Sequence, residues 1–162
     1  MIPKYVFFTK GVGQHKEKLE AFEAALRTAG IEKYNLVSVS SILPPKCKII
    51  SKQAGLKKLK PGQIIYTVLA RNQVKGNKLV AASIGAAIPT NKNTYGYISE
   101  HHSLGQTEKR AGDYAEKMAA TMLRTKQGLK TKIAKTKNIT AAAKGSKNKL
   151  WTSAIAAAVF VP

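Results

Sequence analysis

The chain ends in an alanine-rich segment that restricts the fold more than any other part of the sequence. Residues 150–161 are twelve uncharged and mostly apolar positions. A membrane-spanning helix needs about 18 or more apolar residues, so this run is too short to cross a bilayer. It predicts an element buried inside a globular domain, and we interpret residues 151–161 as the strand that closes a sheet.

Strand-like segments alternate with turn residues through most of the chain. The other predicted strands cover residues 4–9, 34–40, 63–70, 78–88, 94–102 and 131–140, with a shorter candidate at 47–51. The two glycines in residues 10–14 predict a loop, and residues 72–77 have the composition of a hairpin connection. About seven strands with two helices indicate an α+β fold, a layered αββα-type sandwich with mainly antiparallel sheets, in a single domain over residues 1–162.

The two main helices are predicted over residues 16–29 and 107–125, with Gly30 and Thr107 as caps and an apolar stripe on each. The first stripe is Leu19, Phe22, Leu26 and Ala29. The second stripe is Ala111, Tyr114, Ala115, Met118, Met122 and Leu123. Glu23 lies beside the first stripe, where a carboxylate is costly unless it pairs or has a function. A salt bridge to one of the many lysines is the simpler interpretation.

The charge is strongly positive, with 28 Lys+Arg against 8 Asp+Glu and a net charge of +20. Residues 117–162 contain ten basic residues and no acidic residue. Such a surface suits nucleic acid or another anionic partner, but it is equally typical of a solvated face. The alternative function is therefore a basic nucleic-acid-binding protein that uses the Lys-rich C-terminal third. No binding motif and no interleaved aromatic residues support that alternative.

Metal and disulfide sites are disfavoured by the cysteine and histidine positions. The single cysteine, Cys47, excludes a disulfide framework and a Cys-rich zinc site. His15 stands alone, while His101 and His102 are neighbours that point to opposite faces of a strand, so no metal is expected. No signal peptide or membrane segment is recognised, and we expect a cytoplasmic protein with reduced Cys47 and no membrane partner.

Ser40 and Ser41 end the predicted strand 34–40, just before Pro44 and Pro45. A serine hydroxyl can attack the carbonyl carbon of the preceding residue if a turn presents it, which converts the peptide bond to an ester. β-Elimination then leaves a dehydroalanine, which hydrolyses to a pyruvoyl group and ammonia. The alternative is an ordinary turn hydroxyl bonded to local backbone.

Glu100 is the acid of the predicted strand 94–102, where Gly96, Ile98, Glu100 and His102 share one face. A carboxylate in a strand is either an exposed ladder residue or an acid positioned for chemistry. Its position alone favours the exposed interpretation.

Residues 35–45, Asn-Leu-Val-Ser-Val-Ser-Ser-Ile-Leu-Pro-Pro, resemble the self-cleavage segment of the pyruvoyl-dependent arginine decarboxylases. The similarity extends over nearly the whole chain. Residues 21–31 resemble the family's first helix, residues 81–89 and 96–100 its central strands, and residues 154–159 its last strand. The Ser-Ser-Ile-x-Pro-Pro core is specific, whereas the alanine-rich segments are not.

The resemblance implies cleavage between Ser40 and Ser41. Residues 1–40 would become a small β chain and residues 41–162 an α chain, with Ser41 converted to a covalent pyruvoyl group. Neither a metal nor pyridoxal phosphate would be needed. The amine of arginine would form an imine with the pyruvoyl ketone, carbon dioxide would leave, and the product would be agmatine.

The resemblance also implies roles for three further residues. Glu100 matches the family's catalytic glutamate, which would return a proton to Cα and needs a raised pKa to do so. Asn35 matches a position near the scissile bond, where its amide would stabilise the oxyanion of the acyl shift. Glu23 falls where the family usually has an aspartate, and it would bind the guanidinium of the substrate.

Two expectations concern the substrate and the assembly. Glu23 is one methylene longer than aspartate, so arginine is the first choice of substrate and another basic amino acid the alternative. By the resemblance, the protein would form a homotrimer of αβ units or a dimer of trimers, with sites between subunits. Nucleic acid is then not expected as a partner, and the excess lysine is interpreted as a solvated face.

Overall fold

Two β-sheets and three helices make up the regular structure of residues 2–128 and 131–162, the part of the chain that the computed structural model describes. The helices are α1 (Lys18–Ala29), α2 (Lys52–Leu56) and α3 (Glu108–Gln127). The strands are β1 (Tyr5–His15), β2 (Asn35–Ser38), β3 (Ile42–Leu43), β4 (Lys48–Ile49), β5 (Ile64–Lys75), β6 (Leu79–Pro89), β7 (Gly96–Leu104), β8 (Ile133–Lys144) and β9 (Trp151–Val161).

The two sheets lie between the two main helices. The first sheet has the order β2-β5-β9-β1-β4 and the second the order β3-β7-β6-β8. All the long strands pair antiparallel, whereas β2 and β4 join the first sheet in parallel. α1 packs on β1 and β9, and α3 packs on β6, β7 and β8. This confirms the predicted αββα-type sandwich with mainly antiparallel sheets.

The alanine-rich segment is β9, at the centre of the first sheet between β5 and β1. Its residues alternate between the two cores: Ala154, Ala156 and Ala158 belong to the core between the sheets, whereas Ile155 and Val159 belong to the core under α1. A strand covered on both faces is apolar at successive positions, which explains the run. The predicted strand 151–161 is confirmed with its bounds.

The loop predicted over residues 10–14 is wrong, because β1 continues through it to His15 and pairs with β9 along its whole length. A Cβ atom at Gly11 would lie 2.0 Å from the carbonyl oxygen of Ala25, and one at Gly13 would lie 2.3 Å from the Ala25 nitrogen. The two glycines therefore let the backbone of α1 rest against the strand, and they do not mark a turn.

The predicted buried stripes of the helices are only partly correct. α1 buries Ala21, Ala25 and Ala29, while Leu19 is 71% exposed. On α3 the predicted Ala111, Ala115 and Leu123 are buried with Ala119, but Tyr114 is 48% exposed. The helices approach the sheets so closely that small side chains form the contact, and the large residues lie at its margins.

Several connections also differ from the prediction. β5 continues to Lys75, opposite Trp151, so the connection predicted over residues 72–77 is shortened to residues 76–78. The described part has nine strands and three helices. The short candidate at 47–51 is confirmed as β4, whereas the two-residue strand β3 and the short helix α2 were not predicted. The predicted caps are confirmed, with Gly30 at a φ of 75° and the Thr107 hydroxyl accepting from the Arg110 N–H. None of the helices in residues 2–128 and 131–162 is long and apolar enough to cross a bilayer.

Candidate active site

The chain crosses from one sheet to the other at Ser40 and Ser41. The last hydrogen bond to the first sheet runs from the Val39 N–H to the Thr67 carbonyl, at 3.0 Å. The first to the second sheet runs from the Ile98 N–H to the Ser41 carbonyl, at 2.7 Å. The peptide bond between Ser40 and Ser41 therefore spans the gap between two anchored segments.

The turn at this crossing places a hydrogen-bond donor on the Ser40 carbonyl oxygen. The Ile42 N–H donates to the Ser40 oxygen at 3.1 Å, which closes a three-residue turn around Ser41. This bond draws electron density from the carbonyl carbon that the Ser41 hydroxyl would attack. Within the described residues the Ser41 hydroxyl has no hydrogen-bond partner, and neither serine adopts a positive φ. The site therefore offers a free hydroxyl beside a polarised carbonyl without left-handed backbone strain.

Glu100 lies beside this turn on the second sheet. Ile42 pairs with Tyr97, so the register places Ser41 opposite Ile98. Glu100 is two residues, or about 7 Å, farther along β7 on the same face. That face contributes Ile84 and Ile98 to the core between the sheets. Ser41 and Glu100 therefore approach each other within one chain.

The environment of Glu100 favours its protonated form. Burial raises the pKa of this carboxyl group. It has no hydrogen bond or ion pair with any residue of the described part, even though 28 basic residues are present in the chain. The other seven acids lie on helices or at their flanks, and Glu100 is the acid of a strand. A half-buried carboxyl group without a cation is suited to donate a proton.

A cleft of about 380 Å³ opens between the sheets beside the crossing. Ser40, Ile42, Tyr66 and Phe160 contribute to its walls. Its rim is apolar, because Ile42 and Tyr66 are each 38% exposed and the adjacent Ile64 is 60% exposed. We call Ile42, Ile64 and Tyr66 the crossover patch. A larger cavity of about 700 Å³ lies at the loop between β6 and β7, away from Ser41.

Glu23 lies in a different layer of the molecule. α1 covers the outer face of the first sheet, so that sheet separates Glu23 from the face that bears Glu100, a thickness of about 10 Å. The Arg27 Nε donates to Glu23 Oε1 at 2.6 Å, and this contact raises the pKa of Arg27. The simpler interpretation of Glu23 as an ion-pair residue is therefore correct in this chain, although its partner is an arginine and not a lysine.

Asn35 is also remote from the crossing within its own chain. It begins β2, five residues or about 16 Å of extended chain before Ser40. Its side-chain amide donates to the Gly62 carbonyl at 2.9 Å. The single chain thus brings Ser40, Ser41 and Glu100 together, and it does not bring Asn35 or Glu23 to them.

The remaining titratable candidates lie elsewhere. His101 contacts Gln106 at 2.8 Å and stacks on Tyr114, on the α3 side of the second sheet. Burial raises the pKa of the Cys47 thiol to about 11. Among residues 2–128 and 131–162 no three His, Cys, Asp or Glu side chains gather as metal ligands.

The residues that anchor the crossing and the residue that pairs with Glu23 were not identified from the sequence. Thr67 and Ile98 act through backbone groups, which leave no signature in the sequence. Tyr66 belongs to the cleft only because the second sheet leaves this part of β5 uncovered. Arg27 could have been found, because it follows Glu23 at the i, i+4 spacing of a helical ion pair.

Similarity to known proteins extends over nearly the whole chain. The sequence profile described as "Pyruvoyl-dependent arginine decarboxylase (PvlArgDC)" matches residues 5–162. A pyruvoyl-dependent arginine decarboxylase of Methanocella arvoryzae is 54% identical over 163 residues, covering 99% of this chain and 97% of that protein. Its counterpart in Methanococcoides burtonii is 49% identical over 179 residues, covering 99% of each. A probable pyruvoyl-dependent arginine decarboxylase of Chloroherpeton thalassium is 50% identical, covering 99% and 98%.

Proposed function

The chain belongs to the pyruvoyl-dependent arginine decarboxylase family, and from this premise we propose how its own residues form the prosthetic group and use it. The protein is a carboxy-lyase that converts arginine to agmatine and carbon dioxide. The observation that supports the proposal most strongly is the Ser40–Ser41 peptide bond, held between two sheets with Glu100 on the neighbouring strand. The comparisons give no support to the nucleic-acid alternative.

Self-cleavage begins at Ser41. Its hydroxyl oxygen attacks the Ser40 carbonyl carbon, the carbon–nitrogen bond breaks, and the proton passes to the released nitrogen. The Ile42 N–H, already bonded to the Ser40 oxygen, stabilises the oxyanion. The ester then loses the Ser41 Cα proton and the Ser40 carboxylate, which leaves a dehydroalanine. Its imine tautomer takes up water and releases ammonia, so that residue 41 ends in a pyruvoyl group.

The fold holds both products after cleavage. Residues 1–40 include β1 and β2 of the first sheet, and residues 41–162 supply β9 between them and all of the second sheet. Val39 and Ser41 are each anchored by a backbone hydrogen bond to a different sheet. Breaking the bond between them therefore removes a link without removing a strand, and we expect the two chains to stay assembled.

Ser41 and its surroundings fit a pyruvoyl group, because the hydroxyl is free and the cleft lies beside it. That group supplies a ketone to bind the substrate amine and an adjacent carbonyl to accept electrons as carbon dioxide leaves. Glu100 donates the proton to Cα of the substrate. Its raised pKa keeps it protonated above the range of an ordinary carboxyl group.

The guanidinium end of the substrate binds Glu23 of a second copy of the chain. A carboxylate matches a guanidinium with two parallel hydrogen bonds. Within one chain the first sheet lies between Glu23 and Ser41, so a site that uses both needs two copies. The crossover patch beside Ser40 exposes apolar side chains that a second copy would cover. A homotrimer, or a dimer of trimers, meets this requirement through one repeated contact.

Arginine is the first substrate to assay, because Glu23 provides a planar acceptor for its guanidinium. The extra methylene of glutamate shifts the acceptor by about one carbon–carbon bond, which leaves another basic amino acid as the alternative. Lysine and ornithine offer only a compact ammonium group, which does not bond bidentately.

Two measurements test the proposal. Mass spectrometry of the purified protein should show fragments 1–40 and 41–162, with a blocked N-terminus on the larger fragment. Carbon dioxide release should be fastest with arginine when arginine, lysine and ornithine are compared side by side. An intact chain that releases no carbon dioxide would reject self-processing and the activity together.

A further inference from the structure

Arg27 places a guanidinium group of the protein on the carboxylate assigned to the guanidinium of the substrate. Its Nε lies 2.6 Å from Glu23 Oε1, one helical turn away on α1. The Arg27 side chain is 71% exposed and that of Glu23 is 44% exposed. The chemical group that this chain recognises is therefore already present at the recognition site.

The ion pair between Arg27 and Glu23 is weak enough for a substrate guanidinium to replace Arg27. It uses one nitrogen and one carboxylate oxygen, and within the described residues Glu23 Oε2 has no partner. Exposed ion pairs at i, i+4 spacing contribute little, because water and salt screen them. A substrate guanidinium that bonds both oxygens side-on replaces a single bond with two. Arg27 can swing into solvent when this happens, since within the described part no other hydrogen bond or ion pair holds its guanidinium and Glu32 acts on it only through the longer-range attraction of its charge.

We propose that Arg27 is an internal competitor that sets the affinity of the site for guanidinium ligands. The proposal rests on the proposed function, in which Glu23 binds the substrate guanidinium. A competitor that leaves Glu23 before the ligand binds weakens ground-state and transition-state binding equally. It therefore raises KM and leaves kcat unchanged. Every ligand that reaches Glu23 through a guanidinium is affected by the same factor.

The variant Arg27→Gln tests this inference. KM for arginine and the inhibition constant of agmatine should both fall by a common factor of about two to five, the range expected for an exposed ion pair. Both kcat and the extent of self-cleavage should stay at the wild-type level. Arg27→Lys restores a cation at the same position, and KM should return most of the way to the wild-type value.

Arg124→Gln is the matched control. Arg124 is also an exposed arginine in the last turn of a main helix, so its replacement removes the same charge at the same place in a helix. Arg124 faces none of the residues assigned to the site, so the KM of Arg124→Gln for arginine should equal that of the wild type. This control separates competition at Glu23 from a change in net charge or in helix stability.

The outcomes separate this inference from the function on which it rests. An unchanged or increased KM for Arg27→Gln, in folded and fully cleaved protein, would contradict the proposal that Arg27 competes with the substrate for Glu23. If Glu23→Gln still raises KM in that case, the proposed function stands without it. If wild-type protein does not decarboxylate arginine, the proposed function itself fails. If Arg27→Gln does not fold, Arg27→Ala takes its place, and a KM equal to or above that of the wild type contradicts competition.

Discussion

The crossing at Ser40–Ser41 and the helix α1 place their assigned side chains in opposite ways. At the crossing, one chain brings Ser41 within about two strand residues of Glu100, and burial raises the pKa of the Glu100 carboxyl group. On α1, Glu23 is half-exposed, paired with Arg27 and separated from Ser41 by a sheet. Under the proposed function, the chemical half of the site is formed within one chain, and the recognition half comes from another copy.

The largest expected effect isolates the chemical half. Ser41→Ala removes the attacking hydroxyl, so self-cleavage and carbon dioxide release should both be lost, while the fold and α1 remain. A denaturing gel and a carbon dioxide assay measure the two losses. Ser38→Ala is the control, because Ser38 is an exposed serine on the adjoining β2 and should be cleaved normally. Full cleavage of Ser41→Ala at the same bond would contradict the assignment.

Removing the proton donor tests the same half after cleavage. Glu100→Gln keeps the shape but not the acid, and kcat should fall about 10²- to 10⁴-fold, the usual contribution of general acid catalysis. KM should change little, because Glu100 does not contact the guanidinium. Steady-state kinetics on cleaved protein decide the result. Glu116→Gln, which retains a hydrogen bond to Asn138, is the control. A similar loss in both variants would remove the special role of Glu100.

Removing the acceptor on α1 tests the recognition half. Glu23→Gln should raise KM for arginine about 10- to 100-fold, the size of a charge-assisted hydrogen bond to a substrate. Self-cleavage should proceed as in the wild type, since Ser41 is not near Glu23 in the same chain. Glu17→Gln, at the start of the same helix, is the matched control. Impaired self-cleavage in Glu23→Gln would show that the two halves are not separate.

The smallest effect concerns pH. The pKa of Glu100 is raised in the folded protein, so its neutral form stabilises the fold below the ordinary carboxyl pKa. That contribution is lost as pH rises through the raised value. The free energy of unfolding of Glu100→Gln should therefore increase relative to wild type over the same window. Urea denaturation at a series of pH values measures the difference, and a difference that shrinks with rising pH would contradict it.

The parts of the fold that follow from local pattern could be predicted from the sequence. β9 and both main helices were found because an apolar run and a helical period are local signals. Gly11 and Gly13 misled the prediction, because their function is contact with α1, which only the packed structure reveals. The exposed Leu19 has the same origin, since the tight approach of α1 selects alanine at the contact.

In the candidate site, too, the features that are local in sequence could be predicted, and those that depend on packing could not. The Ser40–Ser41 segment was recognisable because the reacting residues are neighbours in sequence. The approach of Glu100 to that segment depends on the pairing of β3 with β7, which joins residues far apart in the chain. The roles of Asn35 and Glu23 remain predictions, because neither lies at the crossing within a single chain.

Mixed assembly of two variants, assayed at arginine concentrations well below the wild-type KM, tests the central claim most directly. Chains with Glu23→Gln and chains with Ser41→Ala are produced together and purified as one assembly. If each site combines Glu23 of one copy with Ser41 of another, random mixing leaves about a quarter of the sites intact, and arginine decarboxylation should recover to that fraction of wild type. Activity no higher than that of either variant alone would show that the two residues act within one chain, and would contradict the shared site.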